Sequence, residues 1–259
     1  MNTTEITRAF ERIGAKIEID ESISRRSRWV FSSTSGPSIN VRNDIFSLRI
    51  PDGTDCEDIR LGDIQPGMRH LLLKIQDASV LCGHDERHWF AASVPGAPGG
   101  VKDAMEHLKP VAVREAERMA GVSGGKARKR RNAARKRQGE WFFIPRPDLS
   151  FGDLQISRNE LLQRNAGSKA HVCEEMVTPA GETVMVNIRD GKQLSVGEYN
   201  RLPADERKGY SARTLTSSVF VRGAVRHPDH ATLTLNGWHE VMLSAEGAGG
   251  VGQIVAFLD

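Results

Sequence analysis

The chain has 259 residues, of which 39% are hydrophobic and 27% are charged, a composition that permits one large or two small domains with a buried core. No apolar run approaches the roughly 20 residues of a membrane-spanning helix, and the charged N-terminus lacks the apolar region of a signal peptide. Three cysteines without CxxC spacing cannot form a disulfide framework, so we expect a reducing compartment, the cytoplasm. Because no apolar run is long enough to span a bilayer, we expect no membrane partner.

The first part of the chain, residues 1–97, is predicted to be a mainly antiparallel β subdomain. Residues 4–13 predict a short amphipathic helix, because Ile6, Phe10 and Ile13 recur at helical spacing. After it, short segments with alternating apolar and polar residues are separated by polar turns, which is typical of strands. The predicted strands cover residues 16–19, 39–42, 45–50, 58–61, 71–75, 80–82 and 88–94.

A helical and basic insertion is predicted over residues 98–140. Apolar residues recur at helical spacing over 101–108 and 111–120, and Pro110 between them predicts either a kink or the start of a second helix. The segment 126–137, KARKRRNAARKR, follows, and we call it the basic tract. Its composition favours a helix once its charge is neutralised by a ligand.

The third part, residues 141–259, is predicted to be a β-rich subdomain that ends in a hairpin meander. Ser195 and Glu198 predict a capping box at the start of a helix over residues 195–202, and residues 158–164 predict a second short helix. Asn236-Gly237 predicts a tight hairpin between two strands, and a last strand is expected over residues 254–258. The fold class is therefore α+β, mainly antiparallel sheet, and the three parts can also form one integrated domain.

The basic tract is the strongest functional signal. Eight of its twelve residues are basic and none is acidic, and without them the chain holds 28 basic against 33 acidic residues. Charge concentrated in this way binds polyanions by releasing their counterions, whereas a solvated basic face without a partner is the simpler reading. The residues predicted to bind nucleic acid are Lys126, Arg128, Lys129, Arg130, Arg131, Arg135, Lys136, Arg137 and Trp141.

Aromatic residues next to basic ones make RNA a better expected ligand than DNA. Trp141, Phe142 and Phe143 follow the tract, and Trp29 and Phe31 lie in an arginine-rich stretch. Unpaired bases commonly stack on such rings beside lysine and arginine, although a strand core would explain the same pattern.

Histidines and acidic residues in two predicted turns suggest metal or acid–base chemistry. His84 and His88 flank one turn as catalytic candidates, and His227, Asp229 and His230 form the predicted metal site in the RHPDH turn, with His230 also a catalytic candidate. Alternatively, His230 forms the site together with His84 or His171 from elsewhere in the chain. His239 is excluded, because a strand of about 15 Å separates it from the RHPDH turn.

These features predict a nucleic-acid-binding protein, with RNA favoured over DNA. An extension makes it a metal-dependent phosphodiesterase or nuclease that uses a divalent metal ion. The alternative is a non-catalytic adaptor or ribonucleoprotein component whose basic tract docks onto an acidic protein partner. A third interpretation is a β-barrel metalloenzyme that acts on a small molecule.

Overall fold

The computed structural model describes residues 3–20, 37–51, 58–152, 155–164, 169–179, 182–188, 191–215 and 218–246. The described residues form mainly antiparallel sheets with a few helices, which confirms the α+β prediction. They group into two units: the first contains the residues up to Lys129 together with 244–246, and the second contains Arg130–Leu243. None of the described helices is long and apolar enough to cross a membrane.

The first unit begins with a helix packed on a small sheet. Its elements are α1 (Thr3–Arg12), β1 (Lys16–Asp20), β2 (Ser38–Arg42) and β3 (Ile45–Arg49). The strand β3 lies between β1, which is parallel to it, and β2, which is antiparallel. The apolar face of α1 buries Ile6 and Phe10, and the Phe10 ring lies 4.8 Å from the ring of Phe46 in β3.

A four-stranded antiparallel meander follows, with strand order β4-β5-β6-β7. Its strands are β4 (Ile59–Gln65), β5 (His70–Ile75), β6 (Ala78–Asp85) and β7 (His88–Val94), with a 3-10 helix at Pro66–Met68. Both faces of β5 are covered: Leu71 and Leu73 belong to the apolar cluster that includes α1, and Leu72 belongs to a second cluster on the opposite face. This two-sided burial explains why β5 reads as an unbroken apolar run.

Three helices close the first unit. They are α2 (Val101–His107), α3 (Val111–Met119) and α4 (Gly124–Arg128). Pro110 lies at the cap before α3, so the two predicted helical segments are separate helices. The buried Lys109 ammonium donates to Glu117 at 2.7 Å and to the Ala127 carbonyl oxygen at 3.0 Å, which ties α4 to α3.

The second unit is built on a six-stranded antiparallel sheet and a three-stranded one. The strand orders are β10-β11-β15-β16-β9-β8 and β13-β12-β14. The elements are β8 (Lys136–Gln138), β9 (Trp141–Pro145), β10 (Ser157–Leu162), β11 (His171–Val177), β12 (Glu182–Asn187), β13 (Gln193–Ser195), α5 (Val196–Arg201), β14 (Tyr210–Leu215), β15 (Phe220–His227) and β16 (His230–Leu243). Both hydrogen bonds of the predicted Ser195–Glu198 capping box are present at α5.

Two predictions of local structure are wrong. The expected helix over residues 158–164 is the edge strand β10, because backbone pairing with β11 outweighs a weak helical preference. The expected hairpin at Asn236-Gly237 is an interruption in one long strand, β16, which pairs with β15 along one edge and β9 along the other. Gly237 has φ +81° there, and the pairing register shifts between Val221 and Gly223. The expected strand over 254–258 lies outside the described residues.

Replacing Lys109 by Met should lower the free energy of unfolding by about 3–5 kcal/mol. Lys109 and Glu117 are 3% and 4% exposed, so the substitution removes the cation that faces a buried carboxylate. Adding Glu117→Met should recover part of the loss, and exposed Lys102→Met should change stability by less than about 0.5 kcal/mol. Denaturant unfolding of the four proteins checks this, and equal losses in the single and double variants would contradict it.

Candidate functional site

Three histidines meet at one end of neighbouring strands in the second unit. His171 begins β11, His227 ends β15 and His230 begins β16. The antiparallel register pairs His227 with His230 across the tight turn, and pairs Val172 with Arg226 one residue further along. Backbone pairing therefore brings a distant residue, His171, next to the RHPDH turn.

The three imidazole rings are close enough to share one metal ion. The His171 ring stacks on the His227 ring at 4.2 Å between centroids, and His227 and His230 are 4.7 Å apart. One ring nitrogen from each of the three residues lies within 4.8 Å of the other two. We call these residues the histidine triad. It contains His230 and His171, one of the two combinations that the alternative allowed, together with His227.

His171 is the buried member of the triad. It is 1% exposed, and neither of its ring nitrogens has a hydrogen-bond partner in the described part of the chain. Burial, followed by the neighbouring His227 and His230, lowers the pKa of His171 to about 3. His171 is therefore neutral at pH 7, which is the protonation state that binds metals.

His227 is held by the turn that follows it. The Asp229 backbone N–H donates to Nδ1 of His227 at 3.1 Å. Burial and the neighbouring His230 lower the pKa of His227, against the opposing effects of the Asp229 carboxylate and a Lys169 backbone hydrogen bond. Because Nδ1 accepts this hydrogen bond, the proton of the neutral ring is on Nε2. A metal bound at Nδ1 would displace the hydrogen bond, and a metal bound at Nε2 would move the proton to Nδ1, which could then no longer accept. The loss of this hydrogen bond costs about 1 kcal/mol, small beside the roughly 10–16 kcal/mol of a structural zinc site.

Asp229 has a different partner from the one predicted. Its carboxylate accepts from the Lys169 ammonium at 2.6 Å. Of the predicted metal ligands His227, Asp229 and His230, the two histidines belong to the triad, and Asp229 contributes its backbone N–H and an ion pair.

The other two catalytic candidates, His84 and His88, belong to the first unit, whereas His230 belongs to the second. The His84 ring lies edge-on to Trp89 at 4.9 Å, and His88 Nδ1 lies 3.3 Å from the Asp44 carboxylate. Both residues lie at the β6–β7 hairpin, as expected. Their catalytic role stays a prediction.

The basic tract is divided between the two units and is helical only at its start. Lys126 and Arg128 lie in α4, and the exposed Lys129 ends that helix. The remaining residues form a tight turn that leads into β8, which we call the basic hairpin (residues 130–138). Asn132 Oδ1 accepts from the backbone N–H groups of Ala134 and Arg135 at 2.9 and 3.0 Å. This side chain therefore replaces the bonds that a continuous helix would need.

The basic hairpin crowds its positive charges. The guanidinium groups of Arg135 and Arg137 lie 5.0 and 5.5 Å from the Phe142 ring centroid. Burial and the charge of Arg137 lower the pKa of Arg130 to about 10, and burial and Arg131 lower that of Lys136. The side chain of Arg131 is exposed, and its backbone pairs with that of Lys136 across the hairpin. Arg135, in contrast, is 2% exposed.

A single glycine joins the basic hairpin to the histidine triad. Gly139 follows β8 with φ +57°, and a Cβ added there would lie 3.0 Å from Nε2 of His230 and 3.6 Å from Nε2 of His171. The Arg137 guanidinium donates to the Gly139 carbonyl oxygen at 2.7 Å. Sequence reasoning missed Gly139, and the only signal was an isolated glycine between the tract and an aromatic strand.

Trp141 is part of the core of the second unit. It is 1% exposed, so its ring is not available at the surface for a base to stack on it. It lies edge-on to His171, with 6.4 Å between ring centroids, and so packs against one side of the triad.

Burial raises the pKa of the Cys173 thiol to about 12, which makes that cysteine a poor nucleophile.

The buried neutral histidine should make stability depend on pH. His171 has a pKa near 3 when folded, against about 6.5 for an unfolded histidine, so its full contribution is present above pH ~6.5 and is lost as pH falls towards 3. In chelator, stability should fall by about 1.4 kcal/mol between pH ~7.5 and ~5.5. His171→Phe should weaken this dependence in denaturant unfolding, with His88→Phe as the control. An equal fall in both variants would contradict the assignment.

Comparison with protein-family models, with curated proteins and with solved structures gives no match to this chain. The chemistry of the triad and the charge of the basic hairpin are therefore the grounds for assigning a function.

Proposed function

We propose that the protein binds nucleic acid through the phosphate groups, with single-stranded RNA as the favoured ligand. The observation that carries the proposal is the basic hairpin, in which the backbone of the exposed Arg131 pairs with that of Lys136, and Arg137 lies over the same aromatic ring as the buried Arg135. Like charges held this closely repel one another, and a polyanion relieves that repulsion while releasing its own counterions.

Phosphates are the part of the ligand that this surface suits. Trp141, Phe142 and Phe143 are at most 2% exposed, so base stacking on them is not part of the proposal. Contacts to phosphates are shared by RNA and DNA. The preference for RNA rests on the sequence pattern alone and is decided by direct comparison of the two ligands.

Substitution of exposed tract residues should weaken binding without damage to the fold. Deletion of the whole tract would remove β8 and the buried Arg135, so it cannot separate binding from folding. Lys126, Lys129 and Arg131 are exposed, and their joint replacement by Gln should flatten the log–log salt dependence for single-stranded RNA by about 2 and weaken binding on the order of 100-fold at ~0.1 M salt. Fluorescence anisotropy with labelled RNA and duplex DNA measures both quantities.

The matched control removes the same charge elsewhere. Lys16, Arg42 and Arg49 are exposed residues of the β1–β3 sheet, and their replacement by Gln should leave the salt slope nearly unchanged. Equal weakening in both triple variants would mean that only net charge matters. Absence of binding even at low salt would contradict the proposal and favour the adaptor alternative, in which the basic tract docks onto an acidic protein.

A second candidate function, metal-dependent phosphodiester hydrolysis, is favoured by the position of Gly139. This residue connects the basic hairpin to His230 and His171, so a phosphate held by the hairpin would lie near the triad. A divalent ion there would supply a bound water of lowered pKa. The residues of the chain would orient the phosphate through Arg137 and hold the ion through neutral imidazoles.

His230→Ala separates binding from cleavage. It should abolish cleavage of single-stranded RNA in the presence of Zn²⁺ or Mn²⁺, while binding measured in chelator changes by less than about threefold, since the basic hairpin is intact. Gel analysis of labelled RNA measures cleavage, and anisotropy measures binding. Equal cleavage by the wild-type protein and the variant would exclude the triad from the reaction and leave the binding proposal standing.

A further inference from the structure

We propose that His171, His227 and His230 form a binding site for a transition-metal ion of the zinc class, with one coordination position left open. This inference does not depend on nucleic-acid binding. The hydrolytic candidate depends on it, whereas the phosphate contacts of the basic hairpin do not.

The unsatisfied ring of His171 is the first ground for the site. It is 1% exposed, and both ring nitrogens lack partners among the described residues, whereas buried polar groups nearly always have one. Other histidines of the chain are satisfied by carbonyl groups: His239 Nδ1 lies 2.9 Å from the Gly237 oxygen, and His107 Nδ1 lies 2.8 Å from the Pro95 oxygen. His171 instead stacks on two further imidazoles.

The donor set determines the class of ion. Three imidazole nitrogens suit Zn²⁺, Cu²⁺, Ni²⁺ and Co²⁺, whereas Mg²⁺ and Ca²⁺ require oxygen ligands. Three protein ligands with an open position are the arrangement of catalytic zinc sites, while structural sites use four.

Metal binding needs a shorter distance between the ring nitrogens and a reorientation of the rings. Zinc–nitrogen bonds of about 2.0–2.1 Å place tetrahedral ligand atoms about 3.3 Å apart. The nitrogens of the triad now lie within 4.8 Å of one another, so they must approach by about 1.5 Å or less. The stacked rings must also rotate about their side-chain bonds so that one nitrogen of each faces the ion. The backbones that carry them are ends of hydrogen-bonded strands, which hold the ligands more firmly than loops do.

The neighbouring groups fit a metal centre. Lys169, whose backbone hydrogen-bonds to His227, has its ammonium paired with the Asp229 carboxylate, so its charge is compensated. A Cβ at residue 139 would lie 3.0 Å from Nε2 of His230, so glycine at this position avoids a close contact with that ring. Glu140, next in the chain, adds negative charge that acts on His227.

Titration with metal alone tests the site. The wild-type protein should bind one Zn²⁺ per chain with a dissociation constant of about 1 µM or lower, in competition with a chromophoric chelator. Co²⁺ should give the visible absorption of a tetrahedral site. A large excess of Mg²⁺ should not compete. Long-range nitrogen–proton NMR of the unmodified protein should show three histidine rings that shift on addition of one equivalent of Zn²⁺.

The variants are His227→Ala and His230→Ala, at positions that are only partly buried, with the equally partly buried His107→Ala of the first unit as the control. Each triad variant should bind Zn²⁺ at least about 100-fold more weakly, because even an outer-shell partner is worth roughly 10–100-fold. The control should bind as the wild type does. Unchanged affinity in both triad variants, or no shift of triad resonances with Zn²⁺, would overturn the site. Neither result would alter RNA binding by the basic hairpin in the absence of metal.

Discussion

Backbone pairing at the end of three adjacent strands is the constraint on which the candidate site depends. The turn between β15 and β16 sets His227 opposite His230, and the β11–β15 ladder then places His171 beside them. Hydrogen bonds between strands fix these positions to within a side-chain rotation, whatever the side chains themselves prefer. The energetic conflict of the site follows from this: a polar ring is held in the core of a sheet without a described partner, and its burial keeps it neutral.

Local sequence patterns are sufficient to predict two of the three histidines of the triad and the start of one helix. The RHPDH turn identified His227 and His230, and Ser195 with Glu198 identified the start of α5, because both patterns are complete within four residues. His171 lies far from the turn in sequence, and only strand pairing shows that it joins them. The misassigned strand β10 has the same cause, since its conformation is imposed by β11 and not by its own residues.

The basic tract shows the limit of counting charges. Its composition predicts a concentrated positive segment. Composition cannot show that the Asn132 side chain stabilises a turn by accepting a backbone hydrogen bond, or that two guanidinium groups lie over the Phe142 ring. The charges of the folded tract therefore lie in two environments. Lys129 and Arg131 are exposed, while Arg135 is buried and Lys136, like the neighbouring Gln138, donates to a carbonyl group of β16. Part of the positive charge is thus a component of the fold.

The two candidate functions are related through electrostatics. Three neutral imidazole ligands would cancel none of the positive charge of a bound divalent ion, whereas carboxylate ligands would cancel it. Such an ion would add to the positive field of the basic hairpin, where burial and then the charges of Arg137 and Arg131 already lower the pKa values of Arg130 and Lys136. A phosphodiester between the two groups would reduce the charge of the ion and the charge of the basic hairpin at the same time. A hydroxide on the ion would reduce only the charge of the ion. Because Gly139 joins the two groups directly, metal binding at the triad should strengthen phosphate binding at the hairpin, and by linkage the phosphate should strengthen metal binding to the same degree.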